Sequence, residues 1–93
     1  MAGIPDVTLK GLKVETIGNF DWFSFTWEGE ELDWQEALRR LKDWVPSDYR
    51  GWNAKSKRWF VRTDLHDVEI ALAGIFPNFR GALEALRSQL AMF

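Results

Sequence analysis

Cysteine is missing from this sequence altogether. That excludes disulfide cross-links and thiolate metal sites, and it suits an intracellular setting. Histidine occurs once, as His66 between Leu65 and Asp67, so no multi-histidine metal site can form. Long apolar runs are missing too: none approaches the roughly 18 residues of a membrane span. The opening residues, MAGIPDVTLK, lack the basic-then-apolar order of a signal peptide. A soluble, cytoplasmic protein without a membrane partner is therefore expected. No Gly-x-Ser-x-Gly elbow and no Gly-x-x-x-x-Gly-Lys phosphate loop occurs. Glu28, Glu30, Glu31 and Asp33 form an acidic run that could attract a hard divalent cation, but they stand where a solvated loop and a helix start are expected. Neither an enzyme nor a bound cofactor or metal is expected.

Aromatic residues are what the chain has in excess. Seven Phe, six Trp and one Tyr stand among 93 residues. Each can bury on the order of 150–250 Å², enough for one small domain to build a core without covalent staples. Charge is the second uneven feature. The formal total is -2, yet residues 1–38 carry a balance of -6, residues 39–62 one of +6, and residues 63–93 one of -2. Binding responds to such a local excess and not to the sum. Much of the basic excess falls in YRGWNAKSKRWFVRTD, residues 49–64, where Trp52 and Trp59 bracket Lys55, Lys57 and Arg58.

Hydrophobic periodicity predicts the elements. VTLKGLKVET alternates as a strand, with Gly11 as a bulge candidate, and IGN at 17–19 reads as a turn. FDWFSFTWEG follows as the clearest strand, with Phe23, Phe25 and Trp27 on one face and Trp22, Ser24 and Thr26 on the other. In LDWQEALRRLKDWVP the residues Trp34, Ala37, Leu38, Leu41, Trp44 and Val45 make one helical stripe. Asp33 is the expected N-cap, Glu36 its capping-box partner, and Leu32 a staple onto Ala37. Pro46 stops the helix. A second hairpin is expected from Arg50–Trp52 and Arg58–Thr63, joined by a turn in which Asn53 makes a local side-chain bond or takes a positive φ. Trp59 and Val61 should face inward, opposite Arg58, Phe60 and Arg62. A helix over 64–76 is expected, capped by Thr63 or Asp64, with Leu65, Val68, Leu72 and Ile75 inward. A last helix follows, capped by Asn78, with the stripe Phe79, Leu83, Leu86, Leu90 and Phe93. The order ββαββαα predicts an α+β domain: a small, mostly antiparallel sheet of two hairpins packed against amphipathic helices. No repeat, linker or low-complexity segment divides the chain.

The stretch RGWNAKSKRWFV sets a basic residue before an aromatic, then Asn, a Lys-rich turn, then Trp with aromatic and β-branched neighbours. It resembles the HARP (HepA-related protein) domain of annealing helicases. The order of strand, amphipathic helix, basic hairpin and helix agrees over residues 20–76. The resemblance implies DNA binding with a preference for forks, junctions or single-strand/duplex boundaries, a role in repair or recombination, and a helicase or other protein as a further partner. Carried over residue by residue, it nominates Arg50, Trp52, Asn53, Lys55, Lys57, Arg58 and Trp59. Gly51 departs from the pattern, standing where a larger residue is common. The sequence includes no helicase motor, so ATP-dependent remodelling is not expected of this chain alone; a free-standing or excised module is.

Physical chemistry nominates an overlapping set. Lysines and arginines on a turn are ordinarily a solvated tip, but phosphate attracts such a cluster, and exposed rings stack on unpaired bases. Arg62 extends the hairpin set, and Arg39, Arg40 and Lys42 join it if the fold brings the first helix alongside. Trp59, Trp34 and Trp44 read as core, while Trp52 reads equally as core or platform. No helix combines a basic face with base-reading side chains, so backbone or shape recognition is expected, not sequence reading. The alternative is a protein-interaction module in which Trp22 and Phe60 form an exposed apolar patch.

Overall fold

The computed structural model describes residues 3–90. Strands β1 (Val7–Ile17) and β2 (Phe20–Gly29) form a long antiparallel hairpin. Helix α1 (Glu31–Trp44) and a 3-10 turn at Ser47–Tyr49 lead to β3 (Arg50–Asn53) and β4 (Arg58–Arg62). Helices α2 (Val68–Ala73) and α3 (Phe79–Leu90) follow. All strand pairings are antiparallel and the sheet order is β1-β2-β4-β3, so the expected α+β architecture is present.

The period-two reading of the strands holds. Phe23, Phe25 and Trp27 lie buried with Val7, Leu9 and Val61 on the face that meets the helices. Ala37 and Leu41 of α1 with Val45 just past its end, Val68 and Leu72 of α2, and Phe79 and Leu83 of α3 close the core from above, with Ile75 and Phe76 between α2 and α3. Phe25 meets Phe76 edge-on at 5.3 Å, and Phe23 meets Phe79 at 5.8 Å. Among the described residues, no α-helix covers the other face of the sheet.

Two glycines shape the long hairpin. Gly18 (φ +65°) opens a two-residue turn with Asn19, the arrangement in which only glycine is at ease. Gly11 (φ +63°) and Leu12 together oppose Phe25, since Lys10 faces Thr26 and Lys13 faces Ser24. This is the anticipated bulge.

Helix boundaries differ from the sequence reading. Helix α1 starts three residues early, on the carbonyl of Glu30, which accepts from Trp34 N at 2.8 Å. Asp33 is therefore inside the helix and caps nothing. Glu36 turns to Arg39 and Arg40 instead of back to a cap, and Leu32 faces solvent. The expected helix over 64–76 shrinks to Val68–Ala73. The Asp64 carboxylate is taken by Arg62, and Asp67 adopts φ +57°, which no helix can run through. Asn78 does not cap α3 with its side chain. Its amide instead brackets Leu9 of β1, accepting from Leu9 N at 2.8 Å and donating to Leu9 O at 3.0 Å. Phe93 of the expected stripe lies outside the described residues. Trp44 is not core: it is 44% exposed, lies over Gly74 where a Cβ would sit 2.9 Å from its ring, and has the Arg40 guanidinium 5.4 Å above it.

Candidate nucleic-acid interface

The β3–β4 hairpin forms as the sequence predicts, with Trp52 opposite Trp59 and Asn53 opposite Arg58. The Asn53 carboxamide oxygen accepts from Lys55 N and Ser56 N, both at 3.0 Å, and so ties the turn to its first arm. The positive φ falls on Lys57 (+56°), not on Asn53.

Strand alternation splits the nominated residues between two faces. Trp52 and Trp59 point to the helix side. Arg58, Phe60 and Arg62 point to the open side. The interleaving of aromatic and basic residues seen in the sequence thus does not make one mixed surface. Trp52 is 50% exposed and leans on Trp59, ring centroids 5.2 Å apart. Trp59 is half-buried and lies 6.2 Å from Trp27, which stacks on Trp34 at 5.1 Å. Four indoles thus run in a row from α1 to the edge of the sheet, and only the outermost presents a large open face. The Trp34 indole donates to the Trp27 carbonyl at 3.3 Å and holds the inner end of the row. Trp34 is half-buried there rather than fully core. Sequence spacing alone does not reveal this row, because its members come from four different elements.

The nominated arginines are spent on the chain itself. Arg58 reaches under the sheet, donating Nε to Ser24 Oγ at 2.6 Å and Nη2 to the carbonyls of Ser24 and of Gly11 in the bulge. Arg62 is held by both Asp64 oxygens and sandwiched between Phe20, 3.6 Å from its ring centre, and Tyr49, at 4.5 Å. The Asp64 hydrogen bond keeps the guanidinium protonated to higher pH than usual, and Arg62 holds the Asp64 carboxyl below its ordinary range. Arg50 donates to the carbonyl of Val45.

Arg39 and Arg40 do not join the hairpin. Arg39 bridges Glu36 and Asp43 along α1. Arg40 is buried and donates to Glu36, to Gly74 O at 3.1 Å and to Gly3 O at 2.6 Å. The expectation that the first helix would add its cations to the hairpin surface is thus corrected: α1 lies over β1 and β2, Arg40 clamps the N-terminal segment and the end of α2, and Arg39 stays along the helix. Glu36, between the two guanidinium groups, is pulled down to about 2, first by its hydrogen bond from Arg39 and then by that from Arg40.

Lys55 and Lys57 remain. Both are exposed, and among the described residues neither has an ion-pair partner. Lys42 is exposed on α1, apart from them. The turn lies at the same end of the sheet as Glu28, Glu30 and Glu31, because Trp59 faces Phe25 and both chains run on toward that end. Trp22 and Phe60 do face outward, but both are half-buried beside the arginine stems that cross this face, so the expected open apolar patch is not there. No group of three or more His, Asp or Glu among the described residues is arranged to hold a metal. His66 is exposed beside Asp67, at 3.2 Å. Among the described residues, no helix is long and apolar enough to cross a membrane.

Compared with known protein families, characterised proteins and solved structures, the chain matches none of them.

Proposed function

We propose that this domain binds partly unpaired DNA, without catalysis, through the β3–β4 hairpin. Trp52 stacks on an exposed base, and Lys55 and Lys57 hold the flanking phosphates. The half-exposed Trp52 ring, braced from behind by Trp59 beside two unpaired lysines, carries the reading. A stacking platform works only if the ring is open on one face and immobile on the other. Duplex DNA offers no free base face, so forks, junction arms and single-strand boundaries are the preferred forms. The resemblance of residues 20–76 to the HARP pattern supports the same reading. Arg58, Arg62, Arg39 and Arg40, nominated with the hairpin, serve the fold in this scheme and leave phosphate contact to the lysines.

The test is an amide-shift NMR titration with a forked DNA at low salt and again at about 0.2 M. Salt-sensitive shifts confined to residues 50–59 are expected. Trp52→Ala should weaken binding by about 1–3 kcal/mol, and Lys55→Ala with Lys57→Ala should lower both affinity and its salt dependence. An unperturbed spectrum at low salt rejects the reading.

One observation favours a second reading, a protein-interaction module. The outer edge of β3, at the end of the sheet that the turn shares with the acidic cluster Glu28, Glu30 and Glu31, has no strand beside it among the described residues. A protein strand added along β3 would contact Trp52 with little salt dependence.

A further inference from the structure

The opposite edge of the sheet is built for a different contact. β1 is an edge strand of 11 residues, and its backbone is closed in one half and open in the other. The two-residue turn makes Ile17 and Phe20 a hydrogen-bonded pair, so Glu15 and Lys13 also bond toward β2, while Thr16 and Val14 turn their backbone groups outward. Carrying the alternation past the bulge puts Leu9 outward too, which its two bonds to the Asn78 amide confirm. Asn78 thus occupies the edge at Leu9 as a neighbouring strand would. The bulge interrupts it at Gly11. Among the described residues, no loop or side chain covers the edge from 12 to 16 in the same way.

We propose that this window is a self-association surface, and that its occupant is β1 of a second copy of this chain, antiparallel about a two-fold axis at Val14. Three features fit a second copy. Val14 lies on the axis with its backbone groups outward, so it exchanges both hydrogen bonds with the partner's Val14, and Thr16 comes opposite the partner's Leu12. Lys13 comes opposite the partner's Glu15, and Glu15 opposite the partner's Lys13, in the closer type of cross-strand pair. Above the strand, Leu12 with Ala82, Ala85, Leu86 and Gln89 of α3 lines a shallow groove, and Val14 is 41% exposed. Small residues there let the partner's α3 approach closely. The bulge on one side and the Gly18 turn on the other limit the pairing to one short window, so the assembly closes as a dimer and does not grow as a fibre.

The test is sedimentation equilibrium of the full chain, up to about 0.5 mM, and of four variants whose fold is checked by circular dichroism. A concentration-dependent dimer is expected. Val14→Pro removes an N–H that points only outward, so it should leave a folded monomer. Lys13→Glu alone and Glu15→Lys alone each set like charges across the axis and should raise the dissociation constant roughly tenfold; the double exchange should restore it. A wild-type chain that stays monomeric throughout overturns the proposal. So does a dimer that Val14→Pro and both single charge changes leave intact. If Val14→Pro fails to fold, the charge exchange decides by itself.

Discussion

Glu36 illustrates how one side chain takes a different job from the one its spacing suggests. Three residues after Asp33 it fits a capping box, but the helix begins earlier and the carboxylate sits between Arg39 and Arg40. Arg40 in turn is buried against Gly3 and Gly74, so Glu36 supplies the counter-charge for a largely desolvated guanidinium. The pH consequence has a definite sign. The folded-state carboxyl is lowered from 4.5 to about 2. Its contribution to stability is fully present above the unfolded value near 4.5 and is lost as pH falls through about 2. Thermal melts between those limits should show stability falling with acidity in the wild type, and a flatter profile in Glu36→Gln. Equal slopes in the two proteins would mean that Glu36 contributes no acid-side linkage.

At the scale of elements, the bulge in β1 and the hairpin β3–β4 are coupled by one arginine. Arg58 leaves β4, crosses β2 at Ser24 and ends on the carbonyl of Gly11. The bulge needs a residue at home with φ +63°, and a Cβ at Gly11 would meet the Arg58 guanidinium at 3.0 Å. Gly11→Ala is expected to destabilise by about 1–2 kcal/mol, from backbone strain and the displaced arginine. Arg58→Ala should lose about 1.5–3 kcal/mol by stripping hydrogen bonds from partly buried acceptors. Each kcal/mol lowers the melting midpoint by roughly 4–8 °C in a domain of this size. Lys55→Ala with Lys57→Ala should leave the midpoint within about 0.5 kcal/mol of wild type, as surface changes do. Melting curves of the three variants therefore separate the cations that hold the fold from those free to meet phosphate. Removing Arg58 together with the lysines would confound the two effects.

For the whole molecule, the two proposed surfaces lie at opposite edges of one sheet, β1 at one side and β3 at the other. A dimer through β1 would make an eight-stranded sheet with a Trp52 platform near each outer edge. Seven strand spacings separate the two β3 strands, about 34 Å along the sheet. A forked or looped DNA that reaches both should then bind with avidity, and a short single strand that reaches one should not. Val14→Pro is expected to abolish the gain on the long substrate and leave affinity for the short one unchanged, as measured by titration at matched salt. An equal loss on both substrates would separate Val14 from avidity and place its effect on the single site.

Much of this molecule was determined by the sequence alone. Period-two alternation placed Phe23, Phe25 and Trp27 inward, because a strand cannot present neighbouring side chains to the same face. Gly11, Gly18, Pro46 and Asn53 marked the bulge, the turns and the helix end, because each has a local conformational preference that acts without help from distant residues. The α+β class followed from those elements. Tertiary structure decided what the charges do. Arg39, Arg40, Arg58 and Arg62 read as one basic run, yet each guanidinium ends on a carboxylate or carbonyl, several of them brought near only by folding. It also decided that Asn78 seals an edge strand 69 residues away, and that Trp52 rests on a row of indoles from three elements. Local preference travels along the chain and can be read there. Long side chains find their partners across it, and those partners exist only once the sheet has set its register.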